Sequence, residues 1–487
     1  MERVTNKENI SYNSKTKKMK IYKFGNIPTG SIRGMQEMIQ LVNDSTPKII
    51  VLSAPTGTTE HLTRIAAHLF SRDTERAHDE ISKLEFRFID FANELFNDKS
   101  IKQQAVDSII DRFRTLWNFT RQRFTSVDEK DILSQGEFIN SMLSGLYLKE
   151  RGINNLLLNS LDFMQLTPEG EPDLEYISKR LRTSIEDNKH INVFLTQGHL
   201  CRNAYGETCY LKQGGDDASA TLIGAALRAE EIQLWIGGNG IHSCDPYFVK
   251  HPAMVTQLSF DEAERFAHCG GTGFDPSCIL PARESNIPIR LFCSMDPTEK
   301  GTLISHIQSG ESIKAITARD GICYIRFQSN RTLRPYLFIS KIFDVFAKYH
   351  TLLCLFTSSG SDVSVAINDK EHLSNILHEL SRYATTVVTD RMCILSVIGN
   401  IQWQYNGLET QILNALTAIQ IRMISYGSNN NDLSLVIKAE DKKEALQLLN
   451  DTLFKPSATM VSHTCAPTLN RSKWNNTDKP SFLLKKS

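Results

Sequence analysis

A lysine, a set of carboxylates and a glycine pair carry the chemistry this sequence can offer. Lys23 stands beside Gly25 at the end of a short apolar stretch. An ammonium there can reach transferring phosphate oxygens as a point charge. On residue type alone, a surface lysine flanking a strand is the simpler reading. Ser53 and Thr59 bracket Ala54-Pro55-Thr56-Gly57-Thr58. Their hydroxyls suit a small polar ligand, or the capping of the helix that follows. Glu137 follows Gly136 near an expected helix start, where an acid can hold an ammonium or simply face the helix dipole. Gly214 and Gly215 precede Asp216, Asp217 and a run of small residues. Glycines let backbone N–H groups approach an anion at a helix N-terminus. Two adjacent carboxylates repel a phosphate unless a cation such as Mg²⁺ lies between, and Asp is also a good N-cap.

Other groups carry weaker signals. His242, Cys244, His268, Cys269, Asp275 and Cys278 are metal-ligating types, but their spacings match no standard motif. No metal site is predicted. Gly237-Gly238-Asn239-Gly240 reads as a turn rather than a phosphate loop.

These residues need a scaffold that gathers them. Strand patterns at Lys20–Phe24, 48–53, 155–159, 192–196, 231–235 and 287–292 alternate with helical periodicity over 32–42, 58–125, 129–150 and 218–229. The alternation predicts a three-layer α/β domain with a mainly parallel sheet, over residues 20–308. Residues 309–386 and 387–455 then repeat one strand–helix–strand–strand–helix pattern at about 70 residues. Two ferredoxin-like α+β units are expected, with the option that a strand of one completes the other. Residues 1–19 and 456–487 read as a disordered extension and tail.

Bulk properties narrow the class. The 487 residues are 41% apolar with 55 basic and 55 acidic side chains, so no basic excess points to nucleic acid or an anionic membrane. No apolar run approaches the ~20 residues a bilayer span requires. The N-terminal stretch lacks the apolar core of a signal peptide. Ten irregularly spaced cysteines fit reduced thiols and a cytoplasmic location.

In order along the chain, Lys23-Phe24-Gly25, Ser53 to Thr59, Leu133 to Glu137, Thr196-Gln197-Gly198 with Gly214 to Asp217, Trp235 to Pro246, and Gly301 to Ile304 resemble the motifs of aspartate kinase. The repeated units resemble its paired ACT domains. The resemblance, to the monofunctional type, covers residues 20–455. It implies an amino-acid kinase fold and the reaction of ATP with L-aspartate to give 4-phospho-L-aspartate, using Mg²⁺, in lysine, threonine and methionine synthesis. It implies Lys23 and Asp217 as catalytic and Ser53, Thr59 and Glu137 as substrate contacts. Gly25, Gly214, Gly215 and Asp245 would meet the nucleotide. It also implies oligomers through the ACT domains, and a lysine or threonine effector there.

Departures from the pattern are concentrated in the pockets. Asn26-Ile27-Pro28 replaces glycine-threonine-serine after Gly25. Gln213, Tyr247 and Thr272 stand where the family has cations, Asp216 replaces a serine and Asp275 a histidine. Three cations lost and the acid Asp216 gained make a swing of four charge units against a polyanion. At ~1.5–3 kcal/mol for each charged hydrogen bond, ATP affinity should fall by several orders of magnitude. Leu337, Cys354 and Thr357-Ser358-Ser359 depart likewise in the first ACT unit, which counts against the family's effector. Three readings follow: an aspartokinase of weak activity; a catalytically dead paralogue serving as a regulatory or small-molecule-binding subunit, alone or with an active aspartate kinase; or a repurposed enzyme acting on a different carboxylate or amino acid.

Overall fold

The computed structural model describes residues 19–454, apart from 26–28, 212–213, 237–240, 293–299, 308–309, 311–312, 331–332, 402–406 and 428–429. The expected extension and tail, Gln213 and the Gly237–Gly240 turn therefore lie outside the described residues, Met19 excepted.

The first half is built on strands β1 (Lys20–Phe24), β2 (Lys48–Leu52), β3 (Asn155–Leu157) and β4 (Val193–Gln197), the hairpin β5 (Leu200–Arg202) and β6 (Thr208–Tyr210), then β7 (Glu231–Trp235), β8 (Gln257–Ser259), β9 (Ile289–Phe292) and β10 (Thr302–Ser305). Eight of them form one sheet in the order β3-β4-β2-β1-β7-β9-β10-β8. Every neighbouring pair is parallel except β9 and β10. The central strands are apolar on both faces, as a sheet covered on both sides requires. Ile21, Ile49 and Val51 enter one core, while Tyr22, Ile50 and Leu52 enter the other.

Helices α1 (Ile32–Val42), α2 (Thr58–Phe70), α3 (Thr74–Leu95), α4 (Lys99–Phe119) and α5 (Ser126–Glu150) cover one face. Helices α6 (Leu174–Glu186), α7 (Gly215–Leu227), α8 (Phe260–His268) and α9 (Ile279–Glu284) cover the other. The expected three-layer α/β domain is thus present. The long helical stretch is punctuated by side-chain caps: Asp73 accepts from the Arg76 amide, and Asp98 from the Ser100 and Ile101 amides.

One boundary differs in a way that moves a site residue. Thr125 and Asp128 form a reciprocal capping box, so α5 begins at Ser126 and Glu137 lies three turns inside it. Glu137 is therefore not an acid at a helix start. Gly136 precedes it where α5 crosses α2, and a Cβ there would stand 2.9 Å from Thr58 Cγ2 and 3.0 Å from Ala54 Cβ. The glycine lets the helices approach and brings Glu137 toward the ends of β1 and β2.

The second half contains β11 (Ile313–Ser329), α10 (Pro335–Lys348), β12 (Leu355–Ser359), β13 (Asp362–Ile367), α11 (Leu373–Leu380), β14 (Ala384–Gly399), α12 (Leu408–Ala415), β15 (Met423–Ser425), β16 (Asp432–Lys438) and α13 (Lys442–Leu453). One antiparallel sheet holds all six strands in the order β12-β13-β11-β14-β16-β15. β11 and β14 pair along nearly their whole length, with register shifts near Arg319–Ile322. The later part of β11 joins β13, whereas the later part of β14 joins β16. Each ferredoxin-like unit thus uses one half of both long strands. The sequence pattern missed 384–391 as strand, because Thr385, Val387 and Val388 are not buried in alternation with polar partners.

The two halves interlock. Ile316 donates its amide to Ser243 O at 2.7 Å, and Thr317 Oγ1 donates to Cys269 O at 2.9 Å. Arg265 on α8 pairs with buried Asp432 on β16 at 2.8 Å. Cys244 and Val249 are part of the apolar core under β14 and β16.

Candidate functional site

The carboxyl ends of β1, β2 and β4 open side by side, the usual place for a ligand crevice in a parallel sheet. Lys23 projects from β1, Ser53 follows β2, and His199 follows β4 after the Gln197-Gly198 turn. Gly198 is tied back by its amide to Leu52 O at 3.1 Å. α5 supplies Glu137 from one face, and α7 supplies Asp216 and Asp217 from the other. Around them is a cavity of about 410 Å³, lined by Lys23, Gly25, Ser53, Ala54, Thr59, Leu133, Glu137, His199, Tyr210 and Asp216.

Lys23 Nζ pairs with Asp217 Oδ1 at 2.9 Å, both nearly buried. Burial works against the ammonium, but Asp217 and Asp216 outweigh it and raise the Lys23 pKa. Asp217 Oδ2 accepts the Asp275 amide at 3.0 Å, which fixes its second oxygen. Asp216 Oδ2 accepts from Ser53 Oγ at 2.5 Å, and its Oδ1 lies 3.7 Å from His199 Nδ1. Burial pushes the Asp216 carboxyl up, yet His199, Lys23 and Ser53 prevail and hold it below its usual range. Glu137 Oε2 accepts the His199 amide at 3.0 Å. Burial, then the Asp216 charge, push the Glu137 carboxyl well above its usual range.

These contacts replace several simpler roles. Ser53 does not cap α2, whose N-cap is Gly57. Thr59 sits in the first turn of α2 and faces the cavity. Asp216 and Asp217 are not N-caps either: that position is Gly214, left-handed at φ 80° with no side-chain cap. Gly25 lines the cavity and donates to Trp235 O at 3.2 Å. Gly214 and Gly215 are not among the residues that line the cavity; they pack against Asp275 and His199, respectively. Asp245 sits apart in the loop bonded to the second half, its carboxylate accepting the Tyr247 amide at 2.9 Å. Tyr247 is 80% exposed.

His199 and Tyr210 were not singled out from the sequence. The signal for His199 was present: it directly follows the glycine turn at the end of a central strand. Tyr210 lies across the β5–β6 hairpin, its ring 5.5 Å from the imidazole. The His242-to-Cys278 residues named from the sequence are not the ligating side chains that the fold groups among the described residues. Instead, Glu137, His199 and Asp216 each place a ligand atom within 4.8 Å of the others.

The Amino acid kinase family pattern matches residues 27–293, and an ACT domain pattern matches 395–453. The chain belongs to the amino acid kinase family. Within it the chain is aspartokinase-like, with ACT modules after the kinase domain. Lysine-sensitive aspartokinase 3 of Escherichia coli (strain K12) is 23% identical over 89% of this chain and 99% of its own length. Aspartokinase 3, chloroplastic, of Arabidopsis thaliana is 26% identical over 94% of this chain and 86% of its own length. Among solved structures, E. coli aspartokinase III in complex with aspartate and ADP superposes with a TM-score of 0.75 at 23% identity, covering 90% of this chain and all of that one. Clostridium acetobutylicum aspartate kinase gives 0.74 at 19% identity, over 90% of this chain and 99% of that one. At these identities the structures establish the shared fold. Among the described residues no helix is long and apolar enough to cross a membrane.

Proposed function

We propose that this chain keeps the aspartokinase scaffold but has given up efficient phosphoryl transfer from ATP to L-aspartate, and works as a cytoplasmic small-molecule-binding or regulatory member of the family. The observation that carries this reading is the Asp216 carboxylate, seated in the cavity between Ser53 and His199. Phosphoryl transfer spreads negative charge over oxygens and depends on nearby cations. Lys23 is the ammonium among the described cavity-lining residues, and Asp217 already compensates it. At an effective dielectric of ~20, a phosphate oxygen ~5 Å from Asp216 would be repelled by about 3 kcal/mol per unit charge. That exceeds what the compensated Lys23 returns.

The competing reading is a weakly active aspartokinase using Mg²⁺. The retained Lys23–Asp217 pair and buried Glu137 favour it. Calorimetric titration with Mg·ATP, followed by a coupled assay with L-aspartate, separates the two. Absence of heat and of turnover is expected. Micromolar ATP binding with turnover would sink the proposal.

The same reading has the protein assemble through its ACT sheet, with itself or with an active aspartokinase. β12 and β15 are open sheet edges, and Tyr336, Leu337 and Phe343 are exposed apolar side chains on α10. Light scattering on the purified chain should give at least a dimer. A monomer at all concentrations would exclude self-assembly.

A further inference from the structure

We infer that Glu137, His199 and Asp216 form a binding site for a divalent first-row transition metal, of which Zn²⁺ is the type case. Three elements converge on it: α5, the turn after β4, and the first turn of α7. Their ligand atoms lie within 4.8 Å of one another. The His199 Nδ1 to Asp216 Oδ1 separation of 3.7 Å is too long for a hydrogen bond. It fits two ligands sharing one ion, since atoms ~2.1 Å from Zn²⁺ at a tetrahedral angle lie about 3.4 Å apart.

A second observation points the same way. Asp216 Oδ1 is buried and has no hydrogen-bond donor. A buried carboxylate oxygen whose partner, the His199 ring nitrogen, stands beyond hydrogen-bond distance is costly, and a bound cation removes the cost. Gly198 makes room for it, because a Cβ there would stand 2.8 Å from that oxygen. The surrounding contacts hold the set in place, as outer partners do at metal sites. Ser53 Oγ fixes Asp216 Oδ2, the His199 amide fixes Glu137 Oε2, and Tyr210 packs on the imidazole.

The ligand chemistry selects the ion. One imidazole with two carboxylates suits Zn²⁺, Mn²⁺, Fe²⁺ or Co²⁺ over Mg²⁺, which prefers an all-oxygen shell. Three protein ligands bordering a cavity of about 410 Å³ leave coordination positions open toward it. A bound ion would offset the paired carboxylates and offer an anchor for an anionic or amine-bearing small molecule.

The inference does not depend on whether phosphoryl transfer is lost, because the metal is titrated alone. Full-length protein dialysed against chelator is titrated calorimetrically with Zn²⁺ in excess Mg²⁺, and with Co²⁺ while its visible spectrum is recorded. One equivalent of each should bind, and Co²⁺ should give the absorption of a four- or five-coordinate site. His199→Ala and Asp216→Asn should each weaken binding at least ~10-fold. Glu137→Gln, which preserves shape, is the third variant, and thermal melts of the metal-free proteins verify that each is folded. Failure of the wild type to bind Zn²⁺ or Co²⁺, competition by equimolar Mg²⁺, or unchanged affinity in all three folded variants would overturn the site.

Discussion

The Asp275 carboxyl group occupies the space beside Gly214 where a side chain would begin, its Cγ 1.9 Å from the position of an added Cβ. Gly214 also has φ 80°, so the glycine turn at the head of α7 carries both a steric and a conformational restriction. Gly214→Ala should therefore destabilise the chain by about 2–4 kcal/mol. Asp275→Gly in the same molecule removes the carboxyl group and also the Asp275 Cβ, which would still stand 2.3 Å away, so it should restore part of that loss and leave the backbone strain. Urea denaturation of the two single variants and the double variant measures the coupling. Additive losses would show that Asp275 does not press on the turn.

Lys23 and Asp217 form a buried pair, and removing one partner strands the other. Lys23→Met should cost about 3–5 kcal/mol, and Lys23→Met with Asp217→Asn should recover part of it. The raised Lys23 pKa fixes the pH window. The pair's contribution is complete below the ordinary lysine range and declines as pH climbs through the raised value. Stability of the wild type relative to the double variant should be flat across neutral pH. A decline beginning below pH 9 would contradict this assignment.

Glu137 behaves oppositely to a typical surface acid. Burial and the Asp216 charge raise its carboxyl, so ionising it in the folded state is unfavourable. In metal-free protein, Glu137→Gln should stabilise at neutral pH, with the advantage vanishing as pH falls below the ordinary glutamate range. Zn²⁺ should reverse the order at neutral pH. Chemical denaturation at pH 4 and pH 7.5, with and without metal, reads all three effects.

The loss of nucleotide affinity should be reparable if the scaffold is sound. Gln213→Arg, Tyr247→Arg and Thr272→Lys, combined with Asp216→Ser, reverse the charge swing. Each charged contact restored at Tyr247 or Thr272 is worth about 1.5–3 kcal/mol, or roughly 10- to 100-fold in Mg·ATP affinity, while the arginine at Gln213 serves the aspartate carboxylate. Calorimetry on the stepwise series tests this. No gain at any step would mean that charge is not what limits ATP binding.

Arg265 and Asp432 join the first half to the second. Asp432 is buried and also accepts from Ser434 Oγ at 2.9 Å. Arg265→Ala should cost about 2 kcal/mol and loosen the contact between α8 and β16. Hydrogen exchange should quicken at the Thr317 and Ile316 amides more than at β1 and β2. Uniform quickening would indicate global destabilisation instead.

The architecture was readable because its signals are local. Buried strands such as 48–52 and 193–197 stand out as short apolar runs, and the second-half repeat shows in the strand and helix order. Position along α5 was less readable, because the capping box at Thr125 lies among other polar residues and Gly136 resembles a helix start. Lys23, Ser53, Thr59, Glu137 and Gly25, all named from the motifs, line the cavity. Tyr210 did not stand out, and His199, marked only by its place directly after the Gly198 turn, gains its full meaning when folding brings it beside Asp216. Asp216 itself was read only as a departure, because its partners are distant in sequence: 163 residues separate it from Ser53.

The shared use of β11 and β14 has a consequence for dissection of the molecule. No cut between 329 and 384 yields two complete ferredoxin-like units, because each needs a stretch of chain from the far side of the cut. The pair should melt as one cooperative body. A ligand that stiffened either unit would stiffen its neighbour through a continuous backbone, and β11 would pass the effect to Ser243 through the amide of Ile316.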